Sequence, residues 1–284
     1  MATVETNTIR GLDIDKTIKG FAMTNYVFKG LVINSTTDGD SIRWYKETAA
    51  DLTLTAPSTL ETSPLSMFEQ AEVDWERLTS YPKKYAIEGT ISREDIKSAD
   101  IDVLARTLLR LTRAVVKQID SAIYNVMTED QSPSTLGTAA ATGTGWDDGT
   151  NGNPILDILK AKQNIMENDY DTSGVIIAMN PKNERDLINY LILNGASIPG
   201  FSSDQVTQGS ISGILGSRIV VSNNVVADSV LVGDPTGCTW KSFEGLHAET
   251  ENIMGKGTKI AIWENGVAIL TDPKKMYLIT DTDT

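Results

Sequence analysis

The run IDVLARTLLRLTRAVVKQIDSAIYNVM, residues Ile101–Met127, carries the clearest periodic signal in the chain. Its apolar residues Ile101, Leu104, Leu108, Leu111, Val115, Ile119 and Ile123 recur in steps of three and four. Such spacing puts them on one helical face for about seven turns. Arg106, Arg110, Arg113 and Lys117 recur at steps of four, three and four, and collect on the opposite side. The pattern predicts one long helix, half buried and basic on its open face, with Asp100 at its N-terminal cap. Just upstream, Lys84–Glu88 reads as a strand. Thr90-Ile91-Ser92-Arg93-Glu94-Asp95 then reads as a helix start, with Ser92 as cap and Asp95 three residues on.

Towards the N-terminus the pattern breaks up. Short apolar patches at Ile9, Leu12, Ile14 and Ile18, and from Tyr26 to Ile33, are separated by Gly20, Gly30 and Gly39. An extended arm is expected over 1–37, with a short helix near Asp13–Phe21. Such an arm cannot bury itself and needs a surface to lie on. Ser41–Lys46 and Val73–Leu78 have strand-like content and bracket a polar stretch with Pro57 and Pro64. They predict a long two-stranded excursion with an irregular tip. An isolated hairpin is marginal in water, so this one is expected to rest on something else.

Downstream, residues 131–154 are rich in Gly, Ser, Thr and Asn and are expected to be a loop or linker, the best boundary between domains. An α/β segment follows. Ile155–Asn168 is amphipathic, Val175–Met179 is an apolar strand, and Asn180-Pro181 opens a helix ending near Leu193. Residues 195–213 read as a loop, and Arg218–Ser222 and Val230–Gly233 as strands. From Lys259 the alternation suggests three short strands, separated at Asn265-Gly266 and at Asp272-Pro273.

The composition narrows the function classes. The chain has 284 residues, 40% hydrophobic and 22% charged. At that size a chain buries roughly three quarters of its unfolded surface and needs no disulfide or metal to hold a core. With 25 Lys+Arg against 38 Asp+Glu the net charge is −13. Such a surface repels nucleic-acid phosphates and anionic lipid at long range. The one cysteine, Cys238, and the one histidine, His247, exclude an intrachain disulfide and a Cys₄ or Cys₂His₂ zinc site by counting. Both read as structural residues.

Catalytic motifs fail in detail. The phosphate-loop candidate Met254-Gly255-Lys256-Gly257-Thr258 has Thr250 where the first glycine belongs and Gly257 where the magnesium-binding hydroxyl belongs. Gly143, Gly145 and Gly149 miss the dinucleotide spacing by one residue. Gly195-Ala196-Ser197-Ile198-Pro199 lacks the last glycine of a nucleophile elbow. The pairs Asp13/Asp15, Asp38/Asp40, Asp147/Asp148 and Asp281/Asp283 read as solvated turns. No catalytic, cofactor-binding or metal-ligating residue is assigned, and no cofactor is expected.

What remains points to neighbours. Arg43, Trp44, Tyr45 and Lys46 on the excursion combine the aromatic and cationic types that anchor protein interfaces. The stripe Arg106, Arg110, Arg113 and Lys117 is suited to acidic groups of the same or another subunit, or to enclosed nucleic acid. These eight residues are the candidate subunit-interface set.

The order of these pieces resembles the major capsid protein of tailed double-stranded DNA viruses, the HK97-like fold. The resemblance rests on Thr90–Asp95 leading into Ile101-Asp102, on the long helix ending near Asp120-Ser121-Ala122-Ile123-Tyr124, and on Val175–Pro181. It continues through Ile214-Leu215-Gly216-Ser217-Arg218-Ile219-Val220-Val221-Ser222-Asn223 to Val230-Leu231-Val232-Gly233-Asp234. It implies an α+β fold: an N-terminal arm (1–37), an extended β-hairpin loop (38–82), a peripheral domain with a long spine helix (83–130 and 235–265), and an axial α/β domain (131–234 and 266–284). It also implies no enzymatic turnover and an icosahedral shell of hexamers and pentamers around packaged DNA, in a virion assembled in the host cytoplasm. The implied partners are the chain itself, a separate scaffolding protein, a portal and cement proteins, with no membrane and no sequence-specific DNA contact. Lys46 lies where some members form a Lys–Asn isopeptide, but no Asn or Glu partner is assigned and no cross-link is predicted. Two other readings stay open: an encapsulin-type nanocompartment shell, which lacks DNA, and a cytoplasmic carboxylate-based α/β enzyme.

Overall fold

The computed structural model describes residues 17–22, 25–46, 61–67, 76–98, 103–128, 136–148, 151–194 and 213–283. After a helical stretch at 17–22, the chain forms β1 (Ile33–Thr36), β2 (Ile42–Lys46), β3 (Glu76–Ser80) and β4 (Lys83–Ser92). Helices α1 (Arg93–Ser98) and α2 (Val103–Thr128) follow, then β5 (Gly137–Ala140), α3 (Pro154–Glu167), β6 (Ile176–Met179) and α4 (Pro181–Asn194). The remaining strands are β7 (Gly213–Ile214), β8 (Ser217–Val221), β9 (Ser229–Gly233), β10 (Cys238–Ile253), β11 (Gly257–Leu270) and β12 (Met276–Thr280). The chain divides into two compact units. One comprises Met1–Ile42, Ser80–Val126 and Thr239–Ile269, the other Arg43–Thr79, Met127–Cys238 and Leu270–Thr284.

The first unit is built on a sheet of order β1-β10-β11-β4. β1 runs parallel to β10, and β11 pairs antiparallel with β4 from Gly257↔Ser92 to Gly266↔Lys83. Helix α2 buries Leu108, Val115, Ile119 and Ile123, as their spacing predicts, together with Val116 and Tyr124. Leu104 and Leu111 are half-buried. The backbone N–H of Asp95 donates to Ser92 Oγ at 3.0 Å, so Ser92 caps α1 as expected. Asp100 and Ile101 lie outside the described residues.

Two expectations differ here. The Asn265-Gly266 pair does not turn: β11 runs through it as one strand, with Ile260, Ile262, Glu264, Gly266 and Ala268 on the buried side. The glycine is there for another reason. A Cβ on Gly266 would sit 2.5 Å from Cζ2 of the fully buried Trp240 on β10. Second, the described part of the arm lies on its own chain. Ile18, Ala22, Phe28 and Val32 are buried, the Phe28 ring packs tilted at 5.4 Å from that of Tyr124 of α2, and β1 joins the sheet. The arm's residues 1–16 lie outside the described residues.

The second unit holds a six-stranded mixed sheet of order β5-β12-β9-β6-β8-β7. α3 and α4 contribute Ile158, Ala161, Ile165, Leu187 and Leu191 to a core shared with Ile177, Met179, Val230, Val232 and Ile279. Asn153 caps α3 by accepting from Leu156 N at 3.1 Å, with Pro154 in the first turn. Asn180 accepts from Lys182 N at 3.1 Å before Pro181, the predicted start of α4. The linker expectation fails over 137–140. That Gly-Thr-Ala-Ala stretch is β5, parallel to β12. It must be small, since a Cβ on Gly137 would meet the Tyr277 ring at 2.5 Å. Trp146, within the same low-complexity stretch, is buried and donates its indole N–H to Asp157 Oδ2 at 3.0 Å. Strands β2 and β3 form a two-stranded sheet of their own, as the excursion predicts. Residues 47–60, 68–75 and 195–212 lie outside the described residues.

Candidate subunit interface

A polar cluster is buried in the first unit. Alternation along β11 points Glu264 inward, where it is fully buried. Tyr26 donates its hydroxyl to Glu264 Oε2 at 2.5 Å, and the Lys29 ammonium pairs with Glu264 Oε1. The same ammonium lies 4.5 Å over the Tyr26 ring and 5.8 Å from the Trp240 ring, so the buried carboxylate is matched by a cation held between aromatic faces. Asp120 of α2 accepts the backbone N–H groups of Val27 and Lys29. Burial pushes the Tyr26 hydroxyl far above its ordinary pKa, and the Glu264 charge pushes it further. Burial also raises the Asp120 carboxyl, against the lowering effect of its backbone donors.

The candidate residues lie on β2 and α2. On β2, Arg43 and Tyr45 are exposed, Trp44 is half-buried and Lys46 is only 3% exposed. Period-two alternation explains this split, since successive strand residues face opposite ways. Lys46 is therefore a covered residue of the hairpin and not part of its open face. On α2, Arg106, Arg110, Arg113 and Lys117 are all exposed, and none is in an ion pair among the described residues.

Other features surface only in the structure. The Met254-Gly255-Lys256 tip joins β10 to β11. Met254 is 97% exposed there, and Arg93, Lys97 and Lys256 line the open groove beside it. The failed phosphate-loop run is therefore a hairpin tip. Leu65, Met67 and Tyr81 are also well exposed. The sequence signal for these is an apolar residue isolated among turn-formers, which is too weak to separate a contact from an incidental exposure.

The chemistry inventory stays short. Among the described residues no group of three or more His, Cys, Asp or Glu is placed to hold a metal. Asp148 accepts from Asn151 Nδ2 at 2.9 Å and from the Thr144 hydroxyl, which closes a turn. Cys238 is buried, and His247 packs edge-on to Trp263 at 5.1 Å. No described helix is long and apolar enough to cross a membrane.

Known proteins fit this arrangement. A family model described as phage capsid protein matches residues 76–279. No curated protein matches the chain. Its fold is similar to that of Mycobacterium phage Che8, with a TM-score of 0.67, 16% identity, and 91% of this chain and 92% of that chain covered. It is also similar to the virus-like particle from Pyrococcus furiosus, with a TM-score of 0.65, 10% identity, and 95% and 99% covered. The capsid of the cyanophage P-SCSP1u gives a TM-score of 0.62 at 15% identity over 88% and 85%.

Proposed function

The chain belongs to the phage capsid protein family, a structural major capsid protein, and on that premise we propose that its copies close into an icosahedral shell of hexamers and pentamers enclosing double-stranded DNA. In this reading residues 1–37 are the arm and 38–82 the extended loop. Residues 83–130 and 235–265 form the peripheral domain, and 131–234 with 266–284 the axial domain. The protein works without turnover, waits in the host cytoplasm, and assembles with scaffolding, portal and cement proteins.

One observation carries the reading. The β2–β3 sheet joins neither larger sheet among the described residues, and it carries exposed Arg43 and Tyr45. A two-stranded ribbon is marginal alone in water. A neighbouring subunit gives it a surface, so Arg43, Trp44 and Tyr45 are assigned to that contact. Deleting Asp51–Ser66 tests this. The deleted chain is expected to fold and to assemble poorly, and a normal particle yield contradicts it. Nuclease-protected DNA in native particles is expected. Shells free of DNA point instead to an encapsulin-type compartment.

A further inference from the structure

Strand β4 runs for ten residues, Lys83–Ser92, and ends the four-stranded sheet on one side. β11 covers its inner side throughout, from Gly257↔Ser92 to Gly266↔Lys83. Just past β4, Arg93 donates its backbone N–H to the Lys256 carbonyl at 3.0 Å, which continues the same register. In an antiparallel ladder, residues that bond the partner strand alternate with residues that turn away from it. Counting back from Arg93, the odd-numbered residues of β4 bond β11. Lys84, Ala86, Glu88 and Thr90 therefore direct their N–H and C=O groups to the outer edge. No described strand takes them there. Their side chains are exposed as well, whereas Tyr85, Ile87 and Gly89 are half-buried. An open edge of this length is a template for another strand.

We propose that β4 of one copy pairs antiparallel with β4 of a second copy, about a two-fold axis through Ala86, and so joins the two sheets into one. The proposal rests on the reading that the chain assembles with its own copies, and it names a junction between them. Self-complementarity selects this occupant. Both strands must turn their open groups toward each other, so even-numbered residues face even-numbered ones. Centred on Ala86, Lys84 of each copy faces Glu88 of the other, and opposite charges meet twice. Centring on Lys84 or on Glu88 would set like charges face to face. Centring on Ile87 would set Lys84 against Thr90 and Glu88 against Ala86, with no charge matched. Glu88 also pairs with Lys259 in its own chain at 2.6 Å, yet its side chain stays 60% exposed and open to a second cation. A two-fold contact uses one patch on both partners, and a closed shell of identical chains supplies such axes.

Cysteine cross-linking in the full chain tests the register. A hydrogen-bonded pair puts the two Ala86 Cα atoms about 5.5 Å apart, within reach of a disulfide. The two Thr90 Cα atoms would stand about 27 Å apart at about 3.4 Å per residue. Mild oxidation of Ala86→Cys is expected to give a linked dimer, and that of Thr90→Cys is not. Cys238 is buried and stays out of the reaction. No dimer from Ala86→Cys, or as much from Thr90→Cys, overturns the pairing. The dimer is read in whatever assembly the chain forms, so this measurement decides even where no closed particle appears.

Assembly gives a second readout. Ala86→Pro removes an outward N–H and none that bonds β11, a placement proline tolerates on an edge strand. The unassembled variant is expected to fold by circular dichroism, and its particle yield to fall by about tenfold, because the contact recurs at every such axis. A natural yield overturns the pairing. A lowered yield without the Ala86→Cys dimer hands the edge to a different strand and overturns it too. For the charges, Lys259→Gln is carried in each variant so that the intrachain pair does not enter. Adding Lys84→Glu is expected to lower the yield, and adding Glu88→Lys to that is expected to restore it. A folded double variant without restoration overturns the Ala86 register. Particles at natural yield from every variant, with no dimer, leave the shell reading standing and remove this junction alone.

Discussion

Val27 donates its backbone N–H to Asp120 Oδ2 at 2.7 Å, and the carboxylate's other oxygen takes the N–H of Lys29 at 3.0 Å. A side chain on the long helix thus closes a turn of the N-terminal segment. Removing it strands two donors. An unsatisfied donor costs about 1–3 kcal/mol, so Asp120→Ala is expected to destabilise the unassembled subunit by at least that much. Urea unfolding measures it, and a change under about 0.5 kcal/mol would show that the turn holds without the carboxylate.

The pH dependence has a definite sign. Burial raises the Asp120 carboxyl above its ordinary value, and the backbone N–H groups of Val27, Lys29 and Phe28 only partly offset this. The native state then holds the proton more tightly than the unfolded chain. The contribution of Asp120 is full below the ordinary carboxylate pKa near about 4 and is lost as pH rises through the raised native value. The stability of the natural chain minus that of Asp120→Asn is expected to fall with rising pH across that window. A difference that grows with pH contradicts the assigned shift.

Helix α2 is legible in the sequence because its apolar residues keep one face for its whole length. Its single-residue test is Leu108, 2% exposed. Leu108→Ala is expected to cost about 2–5 kcal/mol, as for a rigid core leucine. Arg110→Ala on the open face is expected to change stability by less than about 0.5 kcal/mol. A loss below about 1 kcal/mol at Leu108 would show that this face is not a rigid core.

Legibility fails where a local rule meets a tertiary contact. Asn-Gly is the strongest short signal for a hairpin turn, yet Gly266 serves the Trp240 ring on the adjacent strand, which local sequence cannot show. The same holds for Gly137-Thr138-Ala139-Ala140. Its residues look like linker, but β12 supplies the partner strand and Tyr277 fills the space above the glycine. The arm's apolar patches are too short to bury themselves, and the surface that receives its described part is α2 and β10 of its own chain. On β2 the identity of the anchors is visible in the sequence. Which of them face outward follows from strand alternation, which leaves Arg43 and Tyr45 exposed and Lys46 buried.

Gly266 also gives a direct packing test. Gly266→Val drives a branched side chain into Trp240 and is expected to cost about 1–3 kcal/mol or more. A Cβ added at Gly245 would meet nothing within 4 Å, so Gly245→Ala serves as control and is expected to stay within about 0.5 kcal/mol. Equal effects at the two sites would remove the close-approach explanation.

A shell subunit closes with its copies into particles, and electron microscopy of the purified chain reveals whether it does. The expected result is closed particles of uniform size with icosahedral order, built from many copies of the 30.8 kDa chain. A preparation that holds only folded single subunits, under conditions from low to high protein concentration and with the natural sequence intact, would contradict it.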